Sequence, residues 1–258
     1  MSQSDHPDFA PELSINQHIA RITLSRPGKA NRLSPDDLDV LRGHIESVNL
    51  NQNVRVLQIV ALGKYFCSGY DISSLASTDA PSSLYFGQTV DLVEQARPVT
   101  VAAIQGGVYG GGTDLALACD FRVGSTLANM FMPATRLGLH FYPGGMRRYV
   151  TRLGLNQAKR LFLTAEKIDA QEMHNIGFLT QLTDPDQLEY HLTELTNVLL
   201  SMAPLALVGV KHHLNRIAAG QFDIDAIESN VLVSEKSEDI REGALAWKEK
   251  RAPNFKGR

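Results

Sequence analysis

Three consecutive glycines, Gly110, Gly111 and Gly112, stand where an apolar run gives way to a segment of helical character. Because glycine has no Cβ, their backbone N–H groups can approach a ligand closely, and the positive end of a helix dipole favours negative charge there. The triplet therefore predicts a site for an anion or an oxyanion. A tight packing turn between a strand and a helix explains the triplet equally well.

An acidic residue, Asp114, follows Gly111 by three positions. A carboxylate in the first helical turn beside an oxyanion site is placed to move protons. The alternative is that Asp114 only compensates the helix dipole, which is worth about 0.3–1 kcal/mol.

A second glycine turn, KYFCSGYD at residues 64–71, also follows an apolar run, and by itself it is a weak signal.

Two further candidates, His140 and Tyr142, lie in the loop LGLHFYPGG at residues 137–145. Histidine exchanges protons near neutral pH, so His140 is a candidate acid or base, and Tyr142 could orient a substrate group. Each could equally be a hydrogen-bonded structural residue. We expect no metal, because the sequence has no HExxH motif or cysteine cluster and the adjacent His212 and His213 point apart on a helix.

The elements that position these residues alternate between strand and helix in the first half of the chain. Ser34 provides an N-cap and Pro35 a first helical residue, ahead of an amphipathic helix. The mostly apolar runs at residues 54–62 and 98–104 suit strands covered on both faces, and each ends in a glycine-containing loop. This order predicts an α/β fold with its ligand site at the loop ends.

Helical signals dominate after about residue 150. We divide the chain into three parts. Residues 1–11 are polar and contain two prolines, so we expect a mobile tail there. Residues 12–200 form the α/β core, and residues 201–258 form a C-terminal helical region. We predict five helical stretches in the second half, at residues 156–164, 169–176, 186–202, 204–219 and 225–251, the last with a break near Ser237.

The composition and net charge limit the classes of binding partner that we expect. The chain has 258 residues and a net charge of −3 with mixed charges, so it lacks the basic face that nucleic acid or an anionic membrane requires. Its start lacks the pattern of a signal peptide, and no apolar stretch approaches the length of a membrane span. Two cysteines do not make a disulfide framework. We therefore expect a soluble cytoplasmic protein that binds neither nucleic acid nor membrane.

The motifs together resemble the crotonase (enoyl-CoA hydratase/isomerase) superfamily. The pair of FCSGYD at residues 66–71 and the glycine triplet is similar to the two loops that form the oxyanion hole of that family. RPGKAN at 26–31, ACDFR at 118–122, KHHLN at 211–215 and GALAWKEKRAPNFKG at 243–257 also resemble family segments, in family order. The resemblance implies a ClpP/crotonase spiral of β-β-α turns, with a C-terminal helical region that forms trimers or hexamers.

The resemblance also implies roles for individual residues. The N–H groups of Tyr70 and Gly111 would bind the thioester oxygen of an acyl-CoA, and Asp114 would correspond to the first of two catalytic glutamates. Coenzyme A enters as part of the substrate, so no separate cofactor is expected. The candidate contacts to coenzyme A are Arg26, Lys29, Ala30, Cys67, Ser68, Gly69, Asp71, Ile72 and Lys250. We interpret Asp71 first as a residue that satisfies its own turn, and Asp120 as a structural partner of Arg122.

The sequence departs from the family at the second glutamate, where Phe131-Met132-Pro133-Ala134 places Ala134. Simple enoyl-CoA hydration should therefore be weak. The leading hypothesis is an acyl-CoA lyase or isomerase that works through an enolate in fatty acid metabolism. Three chemistries remain open within that class: hydration or dehydration, double-bond isomerisation, and thioester hydrolysis or decarboxylation. The alternative from another class is an acyl-CoA-binding protein without activity.

Overall fold

The computed structural model describes residues 8–71 and 82–258. Residues 1–7 of the expected tail and the candidate Ile72 lie outside this range. Of the remaining tail residues, the N–H of Phe9 donates to the carbonyl of Ser25 and Asp8 accepts a hydrogen bond from the N–H of Gly28. Residues 8 and 9 therefore contact the core.

The larger sheet has six strands in the described residues, in the order β1-β2-β3-β5-β7-β10. Only β1 and β2 are antiparallel, and the other pairs are parallel. Every residue of β5 is buried, which confirms that the apolar run at 98–104 is a strand covered on both faces. The strands are β1 (Glu12–Asn16), β2 (Ile19–Leu24), β3 (Val56–Ala61), β5 (Val99–Ile104), β7 (Phe121–Ser125) and β10 (Gln181–Thr183).

The smaller sheet has the order β4-β6-β8-β9, in which the first three strands are parallel. Each of its first three strands follows a strand of the larger sheet, so the chain makes repeated β-β-α turns. This confirms the expected crotonase-like spiral. The strands are β4 (Tyr65–Cys67), β6 (Gly107–Tyr109), β8 (Asn129–Phe131) and β9 (Ile168–Asp169).

The helix that follows Ser34 has the predicted cap. The Ser34 hydroxyl accepts from the Asp37 N–H at 3.3 Å, and the Asp37 carboxylate accepts from the Ser34 N–H at 2.9 Å. The ten α-helices in the described residues are α1 (Pro35–Leu50), α2 (Ser83–Glu94), α3 (Gly111–Ala118), α4 (Pro143–Leu153), α5 (Leu155–Thr164), α6 (Ala170–Asn175), α7 (Leu188–Leu200), α8 (Pro204–Ala218), α9 (Ile224–Lys236) and α10 (Glu238–Glu249).

The helical second half agrees with the prediction. Ser237 ends α9 and caps α10, which confirms the expected break. Helix α9 has no buried side chain, and Trp247 of α10 is 87% exposed. Across the described residues no single helix has the length and apolar character to cross a bilayer, although the bent pair Pro185–Leu200 and Pro204–Ala218 passes that test jointly by length and composition.

Candidate active site

The two glycine loops predicted from the sequence lie against each other. Gly69 follows β4 and has a φ of +92°, a conformation that favours glycine. A Cβ atom added to Gly69 would lie 2.6 Å from the backbone nitrogen of Gly111, and one added to Gly112 would collide with the carbonyl of Cys67. These glycines are therefore required for the close approach of the two loops.

Backbone hydrogen bonds fix the first loop beside residues 30–33. The Leu33 N–H donates to Gly69 O at 2.9 Å, and the Asp71 N–H donates to Leu33 O at 2.9 Å. In the second loop, Gly111 is the first residue of α3, where N–H groups lack intrahelical partners. No acceptor for the Gly111 N–H is found among residues 8–71 and 82–258. This donor is therefore available to a ligand.

A cavity of about 200 Å³ opens beside both loops. Its surface is mainly apolar and aromatic, as expected for a site that encloses an acyl chain. The described part of the chain contributes no carboxylate to it, and Ala134, for which the sequence resemblance implies a glutamate in relatives, lies in its wall. The lining residues are Arg32, Ser68, Tyr70, Ser83, Phe86, Gly110, Gly111, Met132, Pro133, Ala134, Leu137, Leu139, His140, Phe141 and Tyr142.

Asp114 lies behind this wall rather than in it. The side chain is completely buried, and Asp114 does not line the cavity in the described structure. Its Oδ2 accepts a hydrogen bond of 2.7 Å from the hydroxyl of Tyr142, which does line the cavity. Among the described residues, Tyr142 is therefore the link between the Asp114 carboxylate and the cavity.

A guanidinium group occupies the other side of Asp114. Arg148 of α4 donates from Nε to Oδ1 at 2.8 Å and from Nη2 to Oδ2 at 2.7 Å. Both side chains are fully buried, so the pair lies in a medium of low dielectric constant. This bidentate geometry holds the carboxylate at a fixed angle toward Tyr142.

The Arg148 pair is the buried centre of a larger charge network that joins α2, α3 and α4. Nη1 of Arg148 also contacts Asp91 at 2.6 Å and Glu94 at 3.0 Å. Arg147 and Arg152 in turn contact Glu94, the latter at 3.6 Å. Three carboxylates therefore face three guanidiniums beneath the cavity, so that the charges of these six groups balance.

Two pKa shifts follow from this arrangement. Burial lowers the pKa of Arg148, but the negative charges of Asp114 and Glu94 outweigh burial and leave it above the ordinary value. Burial and then the negative charge of Asp114 raise the pKa of Tyr142 well above 10.0. Tyr142 therefore remains a neutral hydroxyl at physiological pH.

The ring of Tyr142 fits a space that is open because two neighbouring residues are glycines without side chains. A Cβ added to Gly87 in α2 would lie 2.5 Å from the Tyr142 ring, and one added to Gly145 would lie 2.8 Å from it. Phe141 stacks on the same ring with centroids 4.2 Å apart, and Phe86 lies at 6.0 Å. These contacts leave the ring little freedom to turn away from Asp114.

His140 lies at the exposed side of the cavity. Its Nδ1 makes a local hydrogen bond of 2.8 Å with the carbonyl of Phe141. A carbonyl only accepts, so Nδ1 carries the proton and Nε2 is the atom left for a substrate. The sequence candidates that do line the cavity are Tyr70, Gly111, His140, Tyr142 and Ser68.

The other candidates surround the first loop or lie farther out. Arg26 is paired with the buried Asp37 at 2.9 Å, and Asp71 is paired with Arg32 at 3.2 Å. Lys29 and Lys250 are exposed and have no ion pair within the described ranges. Three further candidates, Cys67, Ser68 and Gly69, form the first loop itself. The Ser68 N–H donates to the carbonyl of Ala30, which is also a candidate. Cys67 Sγ contacts both Asn31 O and Gly69 N.

One structural expectation was wrong. Asp120 is not the ion-pair partner of Arg122: its carboxylate contacts Lys211 at 2.7 Å and accepts from Thr100. Arg122 instead donates to the carbonyls of Phe178 and Cys119. The physical reason is that Asp120 immediately precedes β7 and faces β5 and α8, so the partner comes from a helix distant in sequence.

Sequence reasoning also missed Arg148, Glu94 and Asp91. Helices α2 and α4, which carry them, were not predicted. A signal did exist, because RRYVTR at residues 147–152 concentrates arginines in an apolar context, where burial demands acidic partners. The partners could not be assigned, since the three helices meet only in the folded chain.

The fold and site define a crotonase-type protein, and comparison with known proteins agrees. The family model "Enoyl-CoA hydratase/isomerase" matches residues 14–258. The crotonyl-CoA hydratase of Syntrophomonas wolfei subsp. wolfei is 31% identical over 255 residues, covering 94% of this chain and 96% of that protein. The short-chain-enoyl-CoA hydratase of Clostridium acetobutylicum is 32% identical over 258 residues, covering 93% and 95%.

Solved structures give the same result. The crystal structure of enoyl-CoA hydratase from Bacillus anthracis superposes with a TM-score of 0.88 at 29% identity, covering 97% of this chain and all of that one. The chain therefore belongs to the enoyl-CoA hydratase/isomerase family of the crotonase superfamily, and it is an enzyme of that type.

Proposed function

We propose that this enzyme moves the double bond of an enoyl-CoA thioester through an enolate, and that it hydrates simple enoyl-CoA poorly. The observation that carries the proposal is the hydrogen bond from Tyr142, which lines the cavity, to the buried carboxylate of Asp114. A 1,3-proton shift needs one group that takes a proton from one carbon and returns it to another.

The enolate would be stabilised by the N–H groups of Tyr70 and Gly111. Their loops are in contact beside the cavity, and Gly111 lies at the positive end of α3. A preorganised N–H donor in a dry site stabilises a developing oxyanion by about 2.7–4 kcal/mol. Because an acyl thioester develops this charge on its carbonyl oxygen, the loops fit a thioester enolate.

In the proton transfer that we propose, Asp114 acts through Tyr142. The substrate's α-proton passes to the Tyr142 oxygen as the Tyr142 proton moves along the existing bond to Oδ2 of Asp114. Tyr142 is neutral before and after this step, which agrees with its raised pKa. The electron pair of the C–H bond remains on the substrate as the enolate, and the reverse relay then protonates the γ-carbon.

Hydration makes an additional demand, because a water molecule must be held and deprotonated on the substrate's β-carbon side. In the family pattern the second glutamate shares this task, and here Ala134 occupies its position in the cavity wall. Arg148 also donates to both oxygens of Asp114, so the carboxylate is held toward Tyr142 rather than left open to a water molecule. Together these features favour a slow reaction in which one relay, Tyr142 with Asp114, moves the proton.

Coenzyme A would extend from the cavity past the first loop. Lys29 and Lys250 remain candidates for its phosphates, since both are exposed. Arg26 would contribute less, because its guanidinium is already committed to Asp37. His140, at the exposed side of the cavity, would contact the acyl group or a water molecule.

We also propose that the chain assembles as a trimer or hexamer in the cytoplasm. The C-terminal helices expose apolar side chains, among them Val231, Leu232 and Val233 of α9, and such a surface favours association. Light scattering that returned a monomer mass at micromolar concentration would contradict this assembly.

The function is tested by offering the purified enzyme a 3-enoyl-CoA and crotonyl-CoA side by side. Conjugated product without a change in mass reports isomerisation, and addition of water reports hydration. We expect kcat/KM for isomerisation to exceed that for hydration. Faster hydration would contradict the proposal, and binding of both thioesters without turnover would favour an acyl-CoA-binding protein instead.

A further inference from the structure

A second cavity lies at the opposite end of the parallel strands from the active site. His18 immediately precedes β2 and Arg55 immediately precedes β3, so both mark the amino ends of these strands. The loops of the active site instead follow the carboxyl ends of β4, β6 and β8. The two cavities share no lining residue. We call this second cavity, of about 420 Å³, the amino-end pocket; it is lined by His18, Asn53, Arg55, Leu200, Ser201, Pro253, Asn254, Phe255 and Lys256.

The charged side chains that line the amino-end pocket are of one sign. Arg55 and Lys256 are cations, and none of the residues lining it is acidic. Arg55 is half-buried and has no ion pair with any residue in the described ranges. The Lys256 ammonium donates to the neutral amide oxygen of Asn254 at 3.1 Å, and it has no ion pair in residues 8–71 and 82–258. A half-buried guanidinium without a carboxylate partner favours binding of an anion.

The walls of the amino-end pocket are held in place by the fold. The N–H of Arg55 donates to His18 O at 2.8 Å, which ties the two core residues together. The C-terminal residues are held by a carboxylate. Asp239 accepts from the N–H groups of Lys256 and Gly257 at 2.6 and 2.8 Å. The pocket is therefore formed before any ligand arrives, and these carboxylate contacts point at backbone rather than at the Lys256 side chain.

The geometry points to a second binding site here, for a small phosphate monoester, and we infer that such an anion bridges the core and the C-terminal tail. A guanidinium and an ammonium match the double negative charge of the phosphate. Asn53, Asn254 and Ser201 supply neutral hydrogen-bonding groups, and Phe255 and Leu200 supply an apolar surface for the organic part of the ester. This inference does not depend on the reaction in the active site.

The test is calorimetric titration of the full-length enzyme with adenosine monophosphate, ribose 5-phosphate and inorganic phosphate at matched ionic strength. We expect both esters to bind more tightly than inorganic phosphate. Arg55→Gln and Lys256→Gln should each weaken ester binding about tenfold or more, since each removes a charge-assisted contact. Lys159→Gln, at an exposed lysine of α5, removes the same charge elsewhere and should not change ester binding.

Turnover of acyl-CoA should be unchanged in Arg55→Gln, which separates this site from the active site. Because Lys256 lies on the exposed tail, Lys256→Gln tests the site even if Arg55→Gln fails to fold. The absence of ester binding to the wild type at millimolar concentration would overturn the inference. Equal binding to all three variants, or inorganic phosphate binding as tightly as the esters, would overturn it as well.

Discussion

The hydroxyl of Tyr142 donates a hydrogen bond of 2.7 Å to Oδ2 of Asp114, and this contact connects a buried carboxylate to the acyl cavity. Without it Asp114 would only be the counter-ion of Arg148, with both oxygens enclosed by protein. The same contact explains why Tyr142 and Asp114, which are distant in sequence, should be tested as one unit.

The proposed oxyanion hole predicts a large loss of turnover when the Gly111 N–H is removed. Proline suits the first position of a helix and has no N–H, so Gly111→Pro deletes the donor. Its Cβ would collide with the Phe86 ring at 2.6 Å, so both test variants also carry Phe86→Leu to make room. We expect Gly111→Pro/Phe86→Leu to have a kcat about 10²–10³ below that of Gly111→Ala/Phe86→Leu, which keeps the N–H. Equal steady-state kcat values for the two variants would show that this donor does not act in catalysis.

The Ala134 position predicts a gain of hydratase activity. Ala134→Glu should place a carboxylate in the cavity wall, where it can hold the water that hydration requires. We expect crotonyl-CoA hydration to rise about tenfold or more, a fraction of the 10²–10⁴ that a positioned acid or base contributes. Ala134→Gln has nearly the same shape without the charge and should give no such gain. If the two variants hydrate equally, a missing carboxylate is not what limits hydration.

The buried cysteines predict a loss of stability in alkaline solution. Burial raises the pKa of Cys67 and Cys119 from 9.0 to about 12. The unfolded chain therefore releases both thiol protons first, so this stabilisation is complete below about pH 9 and disappears as the pH rises toward 12. One pH unit above 9, each buried thiol should lower the free energy of unfolding by about 1.4 kcal/mol relative to neutral pH.

Urea unfolding of the wild type and of Cys67→Ala/Cys119→Ala checks this prediction. The free energy of unfolding of the wild type should fall more steeply than that of the double variant above about pH 9. Parallel curves for the two proteins would mean that the thiols are not buried as described.

The sequence was sufficient for features that depend on neighbouring residues. Ser34, Pro35 and Asp37 specify the start of α1 through contacts within one turn, and the glycines at 69 and 111 specify two close turns. That these turns meet was expected only from the family resemblance. Gly144 shows why local reasoning failed for α4: glycine disfavours a helix, but a Cβ there would collide with Asp91 of α2.

The chemistry of Asp114 could not be obtained from its position alone. A carboxylate in the first turn of a helix is compatible with direct catalysis, with dipole compensation or with ion pairing. Which one applies depends on Arg148 and Tyr142, both supplied by the segment that packs across α3. Their approach in turn depends on Gly87 and Gly145, whose small size has meaning only in the packed structure.

The most direct test of the relay is a double-mutant cycle on isomerisation, with Tyr142→Phe, Asp114→Asn and the two combined. Tyr149→Phe is the matched control, because its hydroxyl is buried against Thr113 and Tyr149 does not line the cavity in the described structure. If Asp114 acts through Tyr142, each single change lowers kcat by about 10²–10⁴, and the combined variant is no slower than the slower single one. Tyr149→Phe should keep kcat near that of the wild type. Full activity in Tyr142→Phe, or losses that multiply in the combined variant, would contradict the relay.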